Sequence, residues 1–273
     1  MERKIEAAEK IIDKGWGVKK VLGLSSPRPS SSALAFKRSS LYTSSLLPIS
    51  ALYLWDSGRD YFLLKNCKLK ALQWGNSVTD DERLKFEYNL CSAMNDLSCA
   101  LGIPLHSVSL GGQLSIAIGA RGKGTALAHY EPTLKVINLT RKGGVGSLAH
   151  EWAHALDHHL KCKLGLIDKY FSHLTNSRVK YCSEIDGLKD WVSGWVTYKM
   201  KFKNRLIDFD FSTVERDKRY WLSAHEIFAR SFESCLNMLL EEKNLDCPLL
   251  CDLKNQEPNT PCLLYTSPSP RDS

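Results

Sequence analysis

The chain has 273 residues and a mass of 30.8 kDa, room for one large domain or two small ones. Hydrophobic residues make up 43% and charged residues 25%, an ordinary globular balance that excludes a mainly disordered, collagen-like or low-complexity protein. No apolar run approaches the roughly 20 residues a membrane-spanning helix needs, so no membrane contact is expected. The N-terminal stretch MERKIEAAEKIIDKGWG lacks the hydrophobic core of a secretory signal, which predicts a protein of the cell interior. The net charge of +7 sits entirely in the first quarter: residues 1–74 carry 13 Lys and Arg against 6 Asp and Glu, and residues 75–273 carry 24 of each. A solvated basic extension is the simpler expectation, because no aromatic-interleaved or groove-reading pattern accompanies the charges. Contact with nucleic acid or another acidic surface through residues 1–74 is the alternative.

In chain order, residues 1–22 carry a weak helical pattern and residues 25–50 are Ser-rich with scattered Pro, which reads as a linker. Thr79 followed by Glu82 has capping-box spacing, and Leu84, Tyr88, Cys91, Met94, Leu97 and Leu101 then recur at helical steps until Gly102 and Pro104. A short strand is expected within 110–117, and a hairpin from 126–130 and 134–139 around Glu131-Pro132-Thr133. Gly143 and Gly144 precede a helix over about 145–160. The stretch 165–220, rich in Trp and Tyr, is expected to be mostly helical, and a last helix runs from Ser223 to about Leu240. Gly119 to Thr125 mimics a phosphate-binding loop, but Gly124 separates Lys123 from Thr125, and the loop requires them adjacent. Nine cysteines contain no C-x-x-C pair, which predicts reduced thiols rather than disulfides or a cysteine-rich metal site.

The strongest chemical signal is His150-Glu151-Trp152-Ala153-His154, an H-E-x-x-H match. On a helical wheel Val145, Leu148, Ala149, Trp152, Ala153, Leu156 and Leu160 form one broad apolar side, while His150, His154 and Asp157 fall together opposite it. Two imidazoles one turn apart can bind a single Zn²⁺, and Glu151, offset around the helix, reaches a zinc-bound water as general base. Hydrolysis of an amide needs such help. Zinc lowers the pKa of water from about 15.7 toward about 7 and polarises the carbonyl.

Catalytic zinc sites usually have three protein ligands, so one more is needed. The long metzincin motif does not supply it, because Asp157 and Leu160 stand where that motif has Gly and His. Asp157 instead suits a role in orienting a ligand or pairing with an Arg. The third ligand is placed at Glu226. Glu226, Arg230, Glu233 and Asn237 form one stripe of the last helix, opposite Phe228, Phe232, Leu236 and Leu239. Three alternatives stand beside it: Glu226 as a capping-box partner of Ser223, His225 as the ligand, or Glu233 two turns deeper. Arg230 is expected to neutralise Asp157 or Glu233. Tyr130, His129 and Tyr220 are candidate stabilisers of the substrate carbonyl.

The run GARGKGTALAHYEPTLKVINLTRKGGVGSLAHEWAHALDHHL, with upstream LQWGNSVTDDERL and downstream RYWLSAHEIFARSFE, resembles the zincin-like metallopeptidase domain of the large polyvalent proteins of phages and conjugative elements. The resemblance covers about residues 65–240. It implies an α+β zincin-like fold, here with a short sheet containing residues 134–139 packed on the H-E-x-x-H helix. It also implies zinc, proteolytic activity on a protein or peptide substrate in the cytoplasm of a bacterial host, and a longer parent chain.

The expected organisation is a basic, Ser-rich segment at 1–64, a metallopeptidase domain at 65–245 and a C-terminal segment at 246–261. The stretch 262–273 resembles a translated sequencing adapter, an unfolded scar. The rival readings are an inert zincin-like binding module and a nucleic-acid-associated accessory domain using the basic N-terminal segment.

Overall fold

The computed structural model describes residues 62–120, 128–141, 146–167, 170–175, 187–205, 218–245 and 247–251. The expectations for 1–22, 25–50, the loop at 121–125 and the C-terminal stretch lie outside these residues. The chain divides into two compact units. The first runs to Glu151 and resumes at Leu236, and the second spans Trp152–Cys235.

The first unit is built on a four-stranded sheet: β1 (Ala71–Trp74), β2 (Ser115–Ile118), β3 (Ala128–Glu131) and β4 (Val136–Leu139), in the order β1-β2-β4-β3. The first three neighbours are parallel and β3 pairs antiparallel with β4. Every residue of β1, β2 and β4 is buried, as parallel strands require, whereas β3 at the edge is half-exposed. The expected hairpin forms around Glu131, and the strand expected over 110–117 is confined to its end, because Leu110 and Gly111 take left-handed conformations in a turn. Register aligns Gln73, Ala117, Asn138 and His129 in one cross-strand row. Where β1 and β2 end, the backbones of Gly75 and Gly119 abut so closely that a Cβ on Gly75 would lie 1.8 Å from the Gly119 carbonyl oxygen.

Between β1 and β2 runs α1 (Asp80–Leu101). Thr79 Oγ1 accepts from the Glu82 N–H and the Glu82 carboxylate accepts from the Thr79 N–H, the expected capping box. At the other end Gly102 has φ 64°, where a Cβ is penalised, and the Ile103 N–H turns back to the Ser98 carbonyl.

Helix α2 (Leu148–Lys163) contains the H-E-x-x-H run, and it starts and ends within three residues of its expected bounds. The second unit continues with α3 (Leu188–Arg205), a short α4 (Lys218–Trp221) and α5 (Ala224–Glu242). Its apolar core joins Ala153 of α2, Trp195 and Phe202 of α3 and Ile227, Phe228 and Ala229 of α5. A smaller cluster of Phe171, Leu174 and Val192 fixes the single turn Phe171–His173 beside α3. Among the described residues seven cysteines are free thiols, and no helix is long and apolar enough to cross a membrane.

Candidate metal centre

Helix α2 buries Leu148, Ala149, Trp152, Ala153 and Ala155, so its opposite side is free to carry polar groups. Trp152 packs on Phe232 of α5 with ring centroids 5.3 Å apart. On α5, Phe228 and Leu236 are buried, yet so are Glu226 and Glu233, each 4% exposed. A buried carboxylate needs a compensating partner, and Glu226 has several.

Its Oε1 lies 3.4 Å from His154 Nε2, and its Oε2 lies 3.4 Å from Arg230 Nη2. The Arg230 guanidinium sits 3.8 Å from the Trp221 ring centroid, so the cation lies over an indole while its Nη2 faces the outer carboxylate oxygen. The inner oxygen is thereby presented to the imidazoles. His150, His154 and Glu226 offer ligand atoms that all lie within 4.8 Å of one another. Ligands held at zinc distances of about 2.0–2.2 Å in a tetrahedron are about 3.3–3.6 Å apart. The His154–Glu226 separation falls in that interval, and two imidazole nitrogens with one carboxylate oxygen are a donor set that suits zinc.

Around this cluster Glu151 is buried, 7% exposed, one residue beyond His150. Asp157, one turn beyond His154, is fully buried, and its Oδ1 accepts the Ser172 N–H at 2.7 Å. Burial pushes its carboxyl up to about 6, against the opposing pull of the hydrogen bonds from Ser172 and of His154. Ser172 is fixed in turn. Its carbonyl accepts from Trp195 Nε1 at 2.9 Å and from Lys199 Nζ at 2.7 Å.

Three readings from the sequence bear on Glu226. The Ser223 hydroxyl donates to the Tyr220 carbonyl at 2.7 Å, so Ser223 serves the turn between α4 and α5, and the Glu226 carboxylate points to His154 and Arg230 instead of back to a cap. Arg230 pairs with Glu226, since at i, i+4 on one helix the two side chains are neighbours. His225 Nε2 stands 3.9 Å from Glu226 Oε1, outside the three-residue cluster.

The candidate carbonyl stabilisers lie on two elements, β3 and α4. His129 and Tyr130 lie on the edge strand of the first unit, where His129 Nε2 is 3.2 Å from Asn138 Nδ2 in the cross-strand row. The Tyr220 ring lies 5.7 Å from the Arg230 guanidinium. Sequence reasoning missed Tyr170 and His173. Tyr170 stacks on His225 with centroids 5.0 Å apart, and His173 meets Tyr170 edge-on at 5.5 Å. Only the short spacing Tyr170-Phe-Ser-His173 hinted at them, and nothing local says that this turn returns to α5.

A scan against protein-family models, a search of curated proteins and a search of solved structures each found no match to this chain.

Proposed function

We propose that this protein is a zinc-dependent metallopeptidase of the zincin-like type, with His150, His154 and Glu226 as the zinc ligands and Glu151 as general base. The observation that carries the reading is the convergence of those three ligand atoms within 4.8 Å, with Glu151 beside His150 on the same helix. The α+β architecture and the resemblance of residues 65–240 to phage and conjugative-element metallopeptidase domains support it. When bound, zinc supplies a lowered water pKa and a polarised carbonyl.

The protein's own groups do the rest. Glu151 takes a proton from the attacking water and hands it to the leaving nitrogen. Arg230 holds the far oxygen of Glu226, so the carboxylate offers one oxygen rather than two. Asp157 ties α2 to the Ser172 turn one helical turn from His154. The substrate is a protein or peptide inside a bacterial cell. Contact of residues 1–74 with nucleic acid is a separate proposal resting on the charge asymmetry, and salt-dependent DNA binding tests it.

Protein purified without chelator should hold about one zinc per chain, and Glu226→Ala should lose it. Glu151→Gln should keep both zinc and fold while hydrolysis of a peptide library falls about 100-fold or more. Substoichiometric zinc with no uptake on reconstitution would overturn the metal assignment. Undiminished hydrolysis by Glu151→Gln would overturn the mechanism.

A further inference from the structure

We infer that Tyr170 is the hydrogen-bond donor that stabilises the negative charge developing on the substrate carbonyl oxygen, a role that rests on the peptidase reading above. Such a donor must meet two demands. It must stand beside the metal ligands, and it must be fixed before the substrate arrives, because a donor that has to be ordered during the reaction forfeits much of its benefit.

The Tyr170 ring borders the ligand set through His225. The two rings stack at 5.0 Å with an interplanar angle of 22°, and His225 Nε2 lies 3.9 Å from the ligand oxygen of Glu226. The His225 ring is itself 5.6 Å from the ring of His154. The phenol hydroxyl is held above its ordinary range, first by burial and then by the negative charges of Asp157 and Glu226. It therefore stays protonated, a donor, at neutral pH.

The second demand is met by the turn that follows. Ser172, two residues on, gives its N–H to the buried carboxylate of Asp157 and receives Trp195 Nε1 and Lys199 Nζ on its carbonyl. Lys199 Nζ also reaches the Leu174 carbonyl at 3.3 Å. Phe171 and Leu174, on either side of Ser172, are buried in the small core cluster. The backbone just after Tyr170 is thus tied to α2 through Asp157 and to α3 through Trp195 and Lys199, and His173 closes on the phenol ring from the edge.

The test compares wild type with Tyr170→Phe, both zinc-loaded, by zinc content, melting temperature, acetohydroxamate affinity and peptide hydrolysis. Acetohydroxamate is a small oxygen-donor probe that reports a nearby hydrogen-bond donor without needing turnover. Tyr170→Phe should keep its zinc and its melting temperature, bind acetohydroxamate at least about 10-fold more weakly, and cleave peptides with kcat lowered about 100-fold at a nearly unchanged KM. Equal acetohydroxamate affinity in the two proteins would overturn the assignment. If wild type holds zinc and cleaves no peptide while Tyr170→Phe still weakens the probe, the placement of Tyr170 stands and the peptidase reading falls. If neither protein takes up zinc, both are wrong.

Discussion

Helices α1 and α2 end alike and begin differently. At their C-termini both use a left-handed glycine and a backward bond: Ile103 N–H to the Ser98 carbonyl after α1, and Leu166 N–H to the Lys161 carbonyl after α2, with Gly102 at φ 64° and Gly165 at φ 62°. At its N-terminus α1 is closed by its own neighbours, Thr79 and Glu82. The first N–H groups of α2, from Leu148 and Ala149, go instead to the carbonyls of Leu249 and Leu250, about a hundred residues along the chain. A helix capped by its own sequence forms wherever that sequence goes. A helix capped from afar is fixed only when the fold is complete, and here the two residues after the capped pair are His150 and Glu151. The candidate metal helix therefore owes the placement of its first turn to tertiary structure.

The largest effect that could break this comparison comes from paired core truncations. Leu97 on α1 and Leu250 beside the α2 N-terminus are both fully buried. Leu97→Ala and Leu250→Ala should each cost about 2–5 kcal/mol of stability in denaturant unfolding. Only Leu250→Ala should also weaken zinc binding, measured by chelator competition, since it alone loosens the carbonyls that hold the α2 N-terminus. Equal zinc affinity in the two variants would show that the distant cap does not position the ligands.

The same contrast explains what was legible in the sequence. Thr79, Glu82 and Gly102 announce α1 because capping and left-handed turns are local chemistry, and the hairpin around Glu131 was readable for the same reason. The spacing of His150 and His154 was readable because one helical turn brings them together, and Glu226 because a carboxylate stripe on an otherwise amphipathic helix is anomalous. β1 was not readable. Four residues buried on both faces show no alternation, and their strand character comes from pairing with β2. The bonds to Leu249 and Leu250 left no trace either, because any residue can offer a carbonyl. Tyr170 and His173 were missed because their partners, Asp157, His225 and α3, are assembled by tertiary packing.

A smaller effect sharpens the role of Asp157, the buried carboxylate of α2. Asp157→Ala leaves the Ser172 N–H without its acceptor and should cost about 1–3 kcal/mol in metal-free protein. Asp157→Asn keeps an acceptor and separates charge from hydrogen bonding. With its folded pKa raised from 3.8 to about 6, the carboxyl takes up a proton in the folded protein before it does in the unfolded chain. This group therefore adds stability as pH falls from about 6 toward 4, by up to the order of 3 kcal/mol, and that contribution is lost as pH rises through 6. Urea unfolding of wild type and Asp157→Asn at pH 7 and pH 4.5 should show wild type gaining on the variant at the lower pH. Parallel pH profiles would mean that Asp157 is not the group being titrated.

The smallest expected effect separates a cap from a turn. The Thr79 hydroxyl accepts the Glu82 N–H at the start of α1, whereas the Ser223 hydroxyl before α5 donates to the Tyr220 carbonyl. Thr79→Ala removes an acceptor that one of the four orphan N–H groups of a helix end requires, and should cost about 1 kcal/mol. Ser223→Ala removes a donor from a carbonyl that retains other options, and should cost about half as much or less. Neither should change zinc content, because Glu226 is held by His154 and Arg230 rather than by Ser223. A loss of zinc in Ser223→Ala would show instead that the turn before α5 sets the aim of Glu226, and that the ligand depends on its N-terminal neighbours as α1 depends on Thr79.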